Sequence, residues 1–352
     1  MSNLTLEQST ALYNIVNDIN LGKLKCTLAG YAGTGKSHII KYLKEFFPGY
    51  SVCAFTGKAA NVLRRRGIQA TTIHSLIYTP DKNDDGTVDF VLKPSLDCNG
   101  IIVDEASMIS EELYYDLSVF NIPIIWIGDH GQLEPVGTDF NLMKNPMYKL
   151  EQIHRNAGEI AQFAQHLRQG RPAAAFNGDG SQIEFATYWD VSPKQYSEVD
   201  QIICAYNKTR VRTNETVRKH LGYKNILEIG EKVICLQNDN NLNIFNGMQG
   251  HVKDVSQTQN RHFLDLVTDD DEWSQIRYDR HQFGQEKSVA DWYENMPTPF
   301  DYAYCITCHK AQGDEWDNVM VVEQRCKNWE HRRWAYTAAS RAKNKLFWIL
   351  ES

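Results

Sequence analysis

The sequence predicts an α/β protein of two lobes, each on a largely parallel sheet, with a β-hairpin inserted in the first lobe and a small β-barrel in the second. Three observations lead there. Through the first 150 residues, short apolar runs alternate with helix-length amphipathic stretches, the pattern of βα units on a parallel sheet. A glycine-rich loop ending in Lys36-Ser37 separates the first such run from its helix. From 231 to 283 the chain changes to short alternating runs divided by turns such as Asn246-Gly247, which suits a small barrel.

The elements follow in order. Residues 25–29 form the first strand, and 37–47 have helical periodicity stopped by Pro48-Gly49. Residues 51–55 and 59–66 repeat that unit. The β-branched runs 101–103 and 122–127 suit strands buried on both faces. Between them, residues 78–98 carry an acidic turn, with Asp85-Gly86 as a hairpin signal before the strand-like 87–92. After Pro146 the composition shifts, and seven of the eight tryptophans lie beyond residue 150. Helices are expected at 157–169 and 209–220, with a strand at 201–205. Short strands at 232–236, 251–255, 263–267 and 275–278 make the barrel. The second lobe resumes with single strands at 302–307, 319–322 and 345–350.

Composition bounds the function. A chain of 352 residues with 42% hydrophobic and 23% charged residues can bury a sizeable core, so disordered and fibrous classes are excluded. Its eight cysteines are too sparse for a disulfide-stapled secreted domain. No apolar run approaches the roughly 20 residues of a bilayer span, and the polar start is no signal peptide. The expectation is a reducing, cytoplasmic setting, no membrane partner, and Asn-x-Thr sequons at Asn3, Asn207 and Asn214 that are coincidental. The net charge of −7, taken alone, argues against a nucleic-acid partner.

The motifs argue otherwise. Gly30-Tyr31-Ala32-Gly33-Thr34-Gly35-Lys36-Ser37 matches a phosphate-binding loop and lies between a strand and a helix, as its mechanism requires. Its glycines turn backbone N–H groups toward phosphates, and the helix N-terminus adds a favourable dipole. Lys36 would reach the β- and γ-phosphates of ATP, and the Ser37 hydroxyl would ligate Mg²⁺. At the end of a buried strand, Asp104 would hold the same Mg²⁺ and Glu105 would orient or deprotonate the attacking water. The next strand ends in a polar cluster running from Gly128-Asp129 to Pro135-Val136, where Gln132 could sense the γ-phosphate.

Further ordered motifs extend the pattern: Ala54-Phe55-Thr56-Gly57-Lys58-Ala59-Ala60, Thr72-Ile73-His74-Ser75, residues 150–155, Thr307-Cys308-His309-Lys310-Ala311-Gln312-Gly313 and Tyr336-Thr337-Ala338-Ala339-Ser340-Arg341-Ala342. From Gln8 to about Lys343 the set resembles the RecD-like branch of superfamily 1 DNA helicases. That resemblance implies two RecA-like P-loop lobes, a strand-separating pin for the hairpin, and an SH3-like module for the barrel. The first lobe would be 1–77 and 99–148 with the pin at 78–98; the second would be 149–230 and 298–352 with the barrel at 231–297. It implies that Gln8 reads adenine and that Arg155 and Arg341 reach the γ-phosphate, where a guanidinium fork spreads charge over the transferring oxygens. Gln312 and Gly313 would link nucleotide state to DNA grip. Thr56, Lys58, Thr72, His74, Thr307, His309 and Lys310 would line a single-strand channel, since small hydroxyls, amides and few cations suit phosphate contacts without base readout. The partners implied are single-stranded DNA and duplex-junction DNA, with a single-strand-binding protein or replication machinery besides. The implied protein is a monomer, in a host's cytoplasm if phage-encoded, with ATP and Mg²⁺ as its cofactors and travel 5′-to-3′.

Two rivals remain open. A nucleic-acid-stimulated translocase or remodelling ATPase, acting on DNA or RNA without strong unwinding, shares every motif. A small-molecule kinase shares only the phosphate loop. Cys305-Ile306-Thr307-Cys308-His309 also spells a haem-attachment pattern, but it falls on an expected strand inside a helicase motif. If nucleic acid is the partner, the net charge means that basic residues must concentrate in a channel, and binding should depend only shallowly on salt.

Overall fold

The computed structural model describes residues 4–82, 88–133, 140–152, 158–239, 242, 244–259, 261–268, 271–287, 296–325 and 330–351. The chain divides into two compact units, Met1–Ala161 and Gln162–Ser352.

The first unit runs α1 (Leu6–Asn20), β1 (Lys25–Gly30), α2 (Lys36–Phe46), β2 (Tyr50–Ala54), α3 (Gly57–Arg65), β3 (Thr71–Thr72), α4 (Ile73–Ile77), β4 (Tyr78–Lys82), β5 (Val88–Leu92), β6 (Gly100–Asp104), α5 (Glu111–Ser118), β7 (Ile124–Gly128) and β8 (Tyr148–Leu150). Six strands make one parallel sheet in the order β3-β2-β6-β7-β1-β8. Alternate residues of its strands feed two cores. Leu28, Val52, Ile102 and Ile125 join α1, α2 and α3 on one face, and Cys53, Val103 and Trp126 join α4 and α5 on the other. This two-sided burial is why the strands read as continuous apolar runs. Strands β4 and β5 pair antiparallel as a separate ladder; of the acidic turn expected at 81–86, Asp81 and Lys82 belong to β4 and 83–86 lie outside the described residues. Helix α1, unassigned by the sequence reading, starts on a Thr5–Gln8 capping box and buries Leu12, Ile15 and Ile19. The sheet reaches Leu150, past the boundary expected at 148.

The second unit continues with α6 (Glu159–Arg168), β9 (Ile183–Thr187), α7 (Pro193–Ser197), β10 (Gln201–Cys204), α8 (Asn207–Leu221), β11 (Lys232–Cys235), β12 (Gln249–Thr258), β13 (Arg261–Val267), β14 (Glu272–Tyr278), β15 (Phe300–Tyr302), β16 (Cys305–Thr307), β17 (Trp316–Val322), α9 (His331–Ala339) and β18 (Ala342–Leu350). A parallel sheet orders them β16-β10-β17-β18-β9, and an antiparallel one β14-β13-β12-β11-β15. Phe163 of α6 packs edge-on against Trp348 and Phe185. No helix among the described residues is long and apolar enough to cross a membrane.

The expected single strand at 302–307 is corrected to two. Phe300–Tyr302 pairs with β11 in the antiparallel sheet, and Cys305–Thr307 pairs with β10 in the parallel one. The antiparallel sheet therefore extends past 297. Asn214 of α8 makes the switch possible. Its amide donates to the Tyr302 and Cys305 carbonyls at 3.1 and 3.0 Å and accepts from the Cys305 N–H at 2.7 Å. With 1% of its surface exposed, this sequon asparagine is a structural bracket, buried away from any glycosylating enzyme. Asn214→Asp keeps the shape but removes both donated bonds. It should cost at least about 2 kcal/mol in urea unfolding, and a loss within about 0.5 kcal/mol, the ordinary surface range, would show that Asn214 does not hold the switch.

Candidate functional site

The carboxyl ends of parallel strands are where an open α/β sheet presents its loops, and β1, β6 and β7 each deliver a polar cluster there. The loop after β1 enters α2 through Gly35, whose φ of +84° is the left-handed conformation that glycine adopts without strain. Gly30 is required for a different reason: a Cβ there would lie 2.6 Å from Thr34 Oγ1 and 3.1 Å from Leu150 Cβ. Thr34 closes the loop by donating its hydroxyl to the Tyr31 carbonyl at 2.8 Å. Gly33, at φ +79°, completes the turn with Ala32. The first turn of α2 then offers backbone N–H groups that no helical carbonyl can take, a ready anion site.

Lys36 is held back over this loop. Its Nζ donates to the Gly30 and Tyr31 carbonyls at 2.8 and 3.1 Å and lies 3.9 Å from Asp129 Oδ2. Asp129 is itself buried and accepts from the Gly131 N–H at 2.9 Å and the Gln132 amide at 3.3 Å. Thus the loops after β1 and β7 meet on one carboxylate. The rings of Tyr31 and His130 add a second contact, with centroids 4.2 Å apart.

Asp104 ends β6, and its Oδ1 accepts the Glu105 N–H at 3.0 Å. Burial pushes its carboxyl up, opposed chiefly by the Lys36 charge. Glu105 sits at φ 54°, ψ 38°, a conformation costly for a side-chain-bearing residue and common where function dictates geometry. The Ser37 hydroxyl accepts a hydrogen bond from the Arg66 guanidinium, whose charge also lowers Asp104. Ser37 and Asp104 offer a hydroxyl and a carboxylate oxygen, hard donors of the kind Mg²⁺ takes. Gln8 joins the same loop: its Nε2 donates to the Thr34 carbonyl at 2.8 Å while its Oε1 accepts from Thr5 N–H. An amide reading adenine would have to exchange those partners.

In the second unit, Arg341 is buried and uses its whole fork locally. Nε donates to Thr337 O at 3.0 Å, Nη1 to Asp314 O at 3.1 Å and Nη2 to Ser340 Oγ at 2.9 Å. The Asp314 carbonyl ties it directly to the Gln312-Gly313 turn, where Gly313 takes φ +84°. Arg155 lies outside the described residues.

The expected nucleic-acid residues fall in two groups. Thr56 and Thr72 are the N-caps of α3 and α4, each accepting a backbone N–H at 3.1 Å, from Ala59 and Ser75. The Thr72 hydroxyl also shares a 2.8 Å hydrogen bond with Ser75 Oγ, while the Thr56 hydroxyl keeps a proton it can donate. Lys58 lies in the first turn of α3. His74, one residue into α4, has its imidazole lowered by desolvation and its ring 5.5 Å from that of Tyr78. In the second unit Thr307 ends β16, where the expected strand also ends, and Cys308, His309 and Lys310 follow in the turn, so the haem-like pattern lies only partly on a strand. Burial lowers both His309 and Lys310, and the Lys310 ammonium donates to Asn246 Oδ1. Cys305 and Cys308 are buried with their thiols pushed up, poorly disposed to attach haem.

Sequence reasoning passed over Asp129, Arg66 and the Tyr31–His130 pair. Asp129 stood within the quoted strand-end cluster, so an acid at a buried strand terminus was a usable signal. Arg66 belongs to the run Arg64-Arg65-Arg66, which reads as either a DNA-facing patch or a solvated helix end; only the shared core of α2 and α3 brings it to Ser37.

Residues 3–187 match the family model described as AAA domain, and 302–349 match the UvrD-like helicase C-terminal domain. The ATP-dependent RecD2 DNA helicase of Deinococcus radiodurans is 26% identical over 98% of this chain and 48% of its own length. The ATP-dependent DNA helicase dda of Enterobacteria phage T4 is 26% identical over 62% of this chain and 57% of its own. The chain thus spans less than two thirds of either. Among solved structures, Bacteroides Pif1 bound to ssDNA superposes with a TM-score of 0.60 at 18% identity, covering 99% of this chain and 95% of that one.

Gly30→Ala tests the loop. The added methyl must displace Thr34 or Leu150, an overpacking cost of about 1–3 kcal/mol, and nucleotide binding should weaken at least about tenfold, or about 1.4 kcal/mol. Titration with a fluorescent nucleotide, alongside thermal melting, checks both; unchanged affinity would mean the loop does not cradle phosphate.

Proposed function

Because this chain belongs to the AAA domain family, and with its UvrD-like match stands among superfamily 1 helicases of the RecD-like and Pif1-like kind, we propose that it is an ATP-dependent DNA helicase moving 5′-to-3′ on single-stranded DNA. The observation that carries this reading is the single assembly of Lys36, Asp129 and Gln132 beside Asp104 and Glu105 at one sheet edge. A motor needs a phosphate lysine, a metal carboxylate and a water-directing group at one place.

In this reading Lys36 leaves the Gly30 and Tyr31 carbonyls for the β- and γ-phosphates of ATP. Ser37 and Asp104 hold Mg²⁺, which when bound neutralises charge on those phosphates. Glu105 orients the attacking water and takes its proton, and its strained backbone fixes the carboxylate's direction. Gln132, anchored on Asp129, reports the γ-phosphate. Gln8 exchanges its loop partners for adenine. Arg341 and Arg155 supply guanidinium charge to the transferring phosphoryl group, and the Asp314 link passes a shift of Arg341 to the Gln312-Gly313 turn. From there His309, Lys310 and Thr307 change their hold on the strand, while Thr56, Lys58, Thr72 and His74 grip it on the first unit. Alternating grips make steps. The ladder of β4 and β5 serves as the pin that parts the duplex, and the antiparallel sheet of the second unit as the SH3-like module. Duplex-junction DNA is the substrate, met by a monomer; a single-strand-binding protein or replication machinery would supply it.

Two outcomes are expected. Duplexes with a 5′ tail should unwind with ATP and not without it, and matched 3′-tailed duplexes should stay intact; the opposite preference would remove the polarity assignment. Lys36→Ala should lower ATP turnover at least about 100-fold while DNA binding stays measurable by anisotropy. Near-normal turnover in that variant would sink the motor assignment.

A further inference from the structure

The run Arg64-Arg65-Arg66 is the sequence feature the proposed motor leaves unused, and the structure separates its members. Arg64 turns away, donating to the Ala70 carbonyl at 2.9 Å. Arg66, just past the end of α3 and before the left-handed Gly67 at φ +79°, reaches across to the phosphate loop. Its guanidinium donates to the Ser37 hydroxyl. Asp104 ends the neighbouring strand, β6. These are the two side chains that the proposed function assigns to Mg²⁺, so the inference rests on that reading.

The placement follows from packing. Ile39, Ile40 and Leu43 of α2 share a core with Ala59, Ala60 and Leu63 of α3, which fixes the α3 end beside the first turn of α2. Ala54 pairs with Asp104 across β2 and β6, so the strand leading into α3 also borders the carboxylate. Arg66 itself is exposed, and nothing but solvent need be displaced for it to swing out. Mg²⁺ requires near-ideal octahedral oxygen coordination at about 2.0–2.1 Å. A guanidinium bonded to one of its ligands places like charge against it, and the two cannot share the site without repulsion.

We propose that Arg66 is a built-in cation at the edge of the metal site: it holds Ser37 in the metal-free state and competes with the divalent cation for that hydroxyl. Loading of the metal–nucleotide complex then requires Arg66 to withdraw, which sets the free Mg²⁺ concentration at which the site fills. The device is local to the first unit.

The test measures binding of N-methylanthraniloyl-ADP across a titration of free Mg²⁺, with an EDTA arm, for wild type, Arg66→Ala and Arg65→Ala. Arg66→Ala should lower the Mg²⁺ midpoint about fivefold or more, the scale of a coupling between two ligands of one site. Its affinity in EDTA should stay within about twofold of wild type, and Arg65→Ala should leave the midpoint in place. An unchanged midpoint in Arg66→Ala would overturn the proposal. Weaker binding of Arg66→Ala in EDTA would also overturn it, making Arg66 a phosphate ligand. An equal shift in Arg65→Ala would overturn it as well, as a general surface-charge effect. Failure of wild type to bind the nucleotide at any Mg²⁺ concentration would instead remove the functional reading beneath it.

Discussion

A buried carboxylate organises the working edge of the first unit. Asp129 lies in the protein interior, where a lone charge would be costly, and it is tolerated because the Lys36 ammonium, the Gly131 N–H and the Gln132 amide converge on it. That convergence does more than neutralise a charge. It joins the loop after β1 to the loop after β7, with Lys36 and Gln132 held on the same carboxylate. Asp104 has an analogous arrangement, with Lys36 and Arg66 both opposing the cost of its burial. The resting site therefore carries its own cations against each of its two acids. Binding of a nucleotide must exchange partners at several of these groups together, which is the coupling a switch needs.

Much of this was legible in the sequence, for identifiable reasons. Strands buried on both faces declare themselves as β-branched runs, as at Ile101-Ile102-Val103. Lys36, Ser37, Asp104, Glu105 and Gln132 were expected at the ends of three strands, and the structure places them after β1, β6 and β7. What escaped depends on contacts distant in sequence. The run from Tyr302 to Thr307 looks like one strand, and the choice to divide it between two sheets is made by Asn214, on a helix far back in the chain. Helix α1 escaped because its three apolar anchors stand in a polar stretch with no strand before it. Arg66 could be assigned only once α2 and α3 were seen to share a core.

The acidic balance of the chain is also clearer. A net charge of −7 fits the proposed grip on DNA because that grip uses few cations. Thr56 and Thr72 are helix caps, uncharged hydroxyls at the starts of α3 and α4, and α3 brings the positive end of its dipole to Thr56. Lys310 is tied to Asn246, and burial weakens its hold on a proton. In the proposed motor, contacts of this kind would hold a backbone weakly enough to let it go at each step.

The central claim is that nucleotide hydrolysis in the first unit answers to a bound strand. The most direct measurement is the steady-state rate of ATP hydrolysis with and without single-stranded DNA. A rise of at least about tenfold is expected, within the usual range of coupling between two sites. A rate indifferent to every polynucleotide, DNA or RNA, would contradict the claim and leave a phosphate-loop enzyme of another kind.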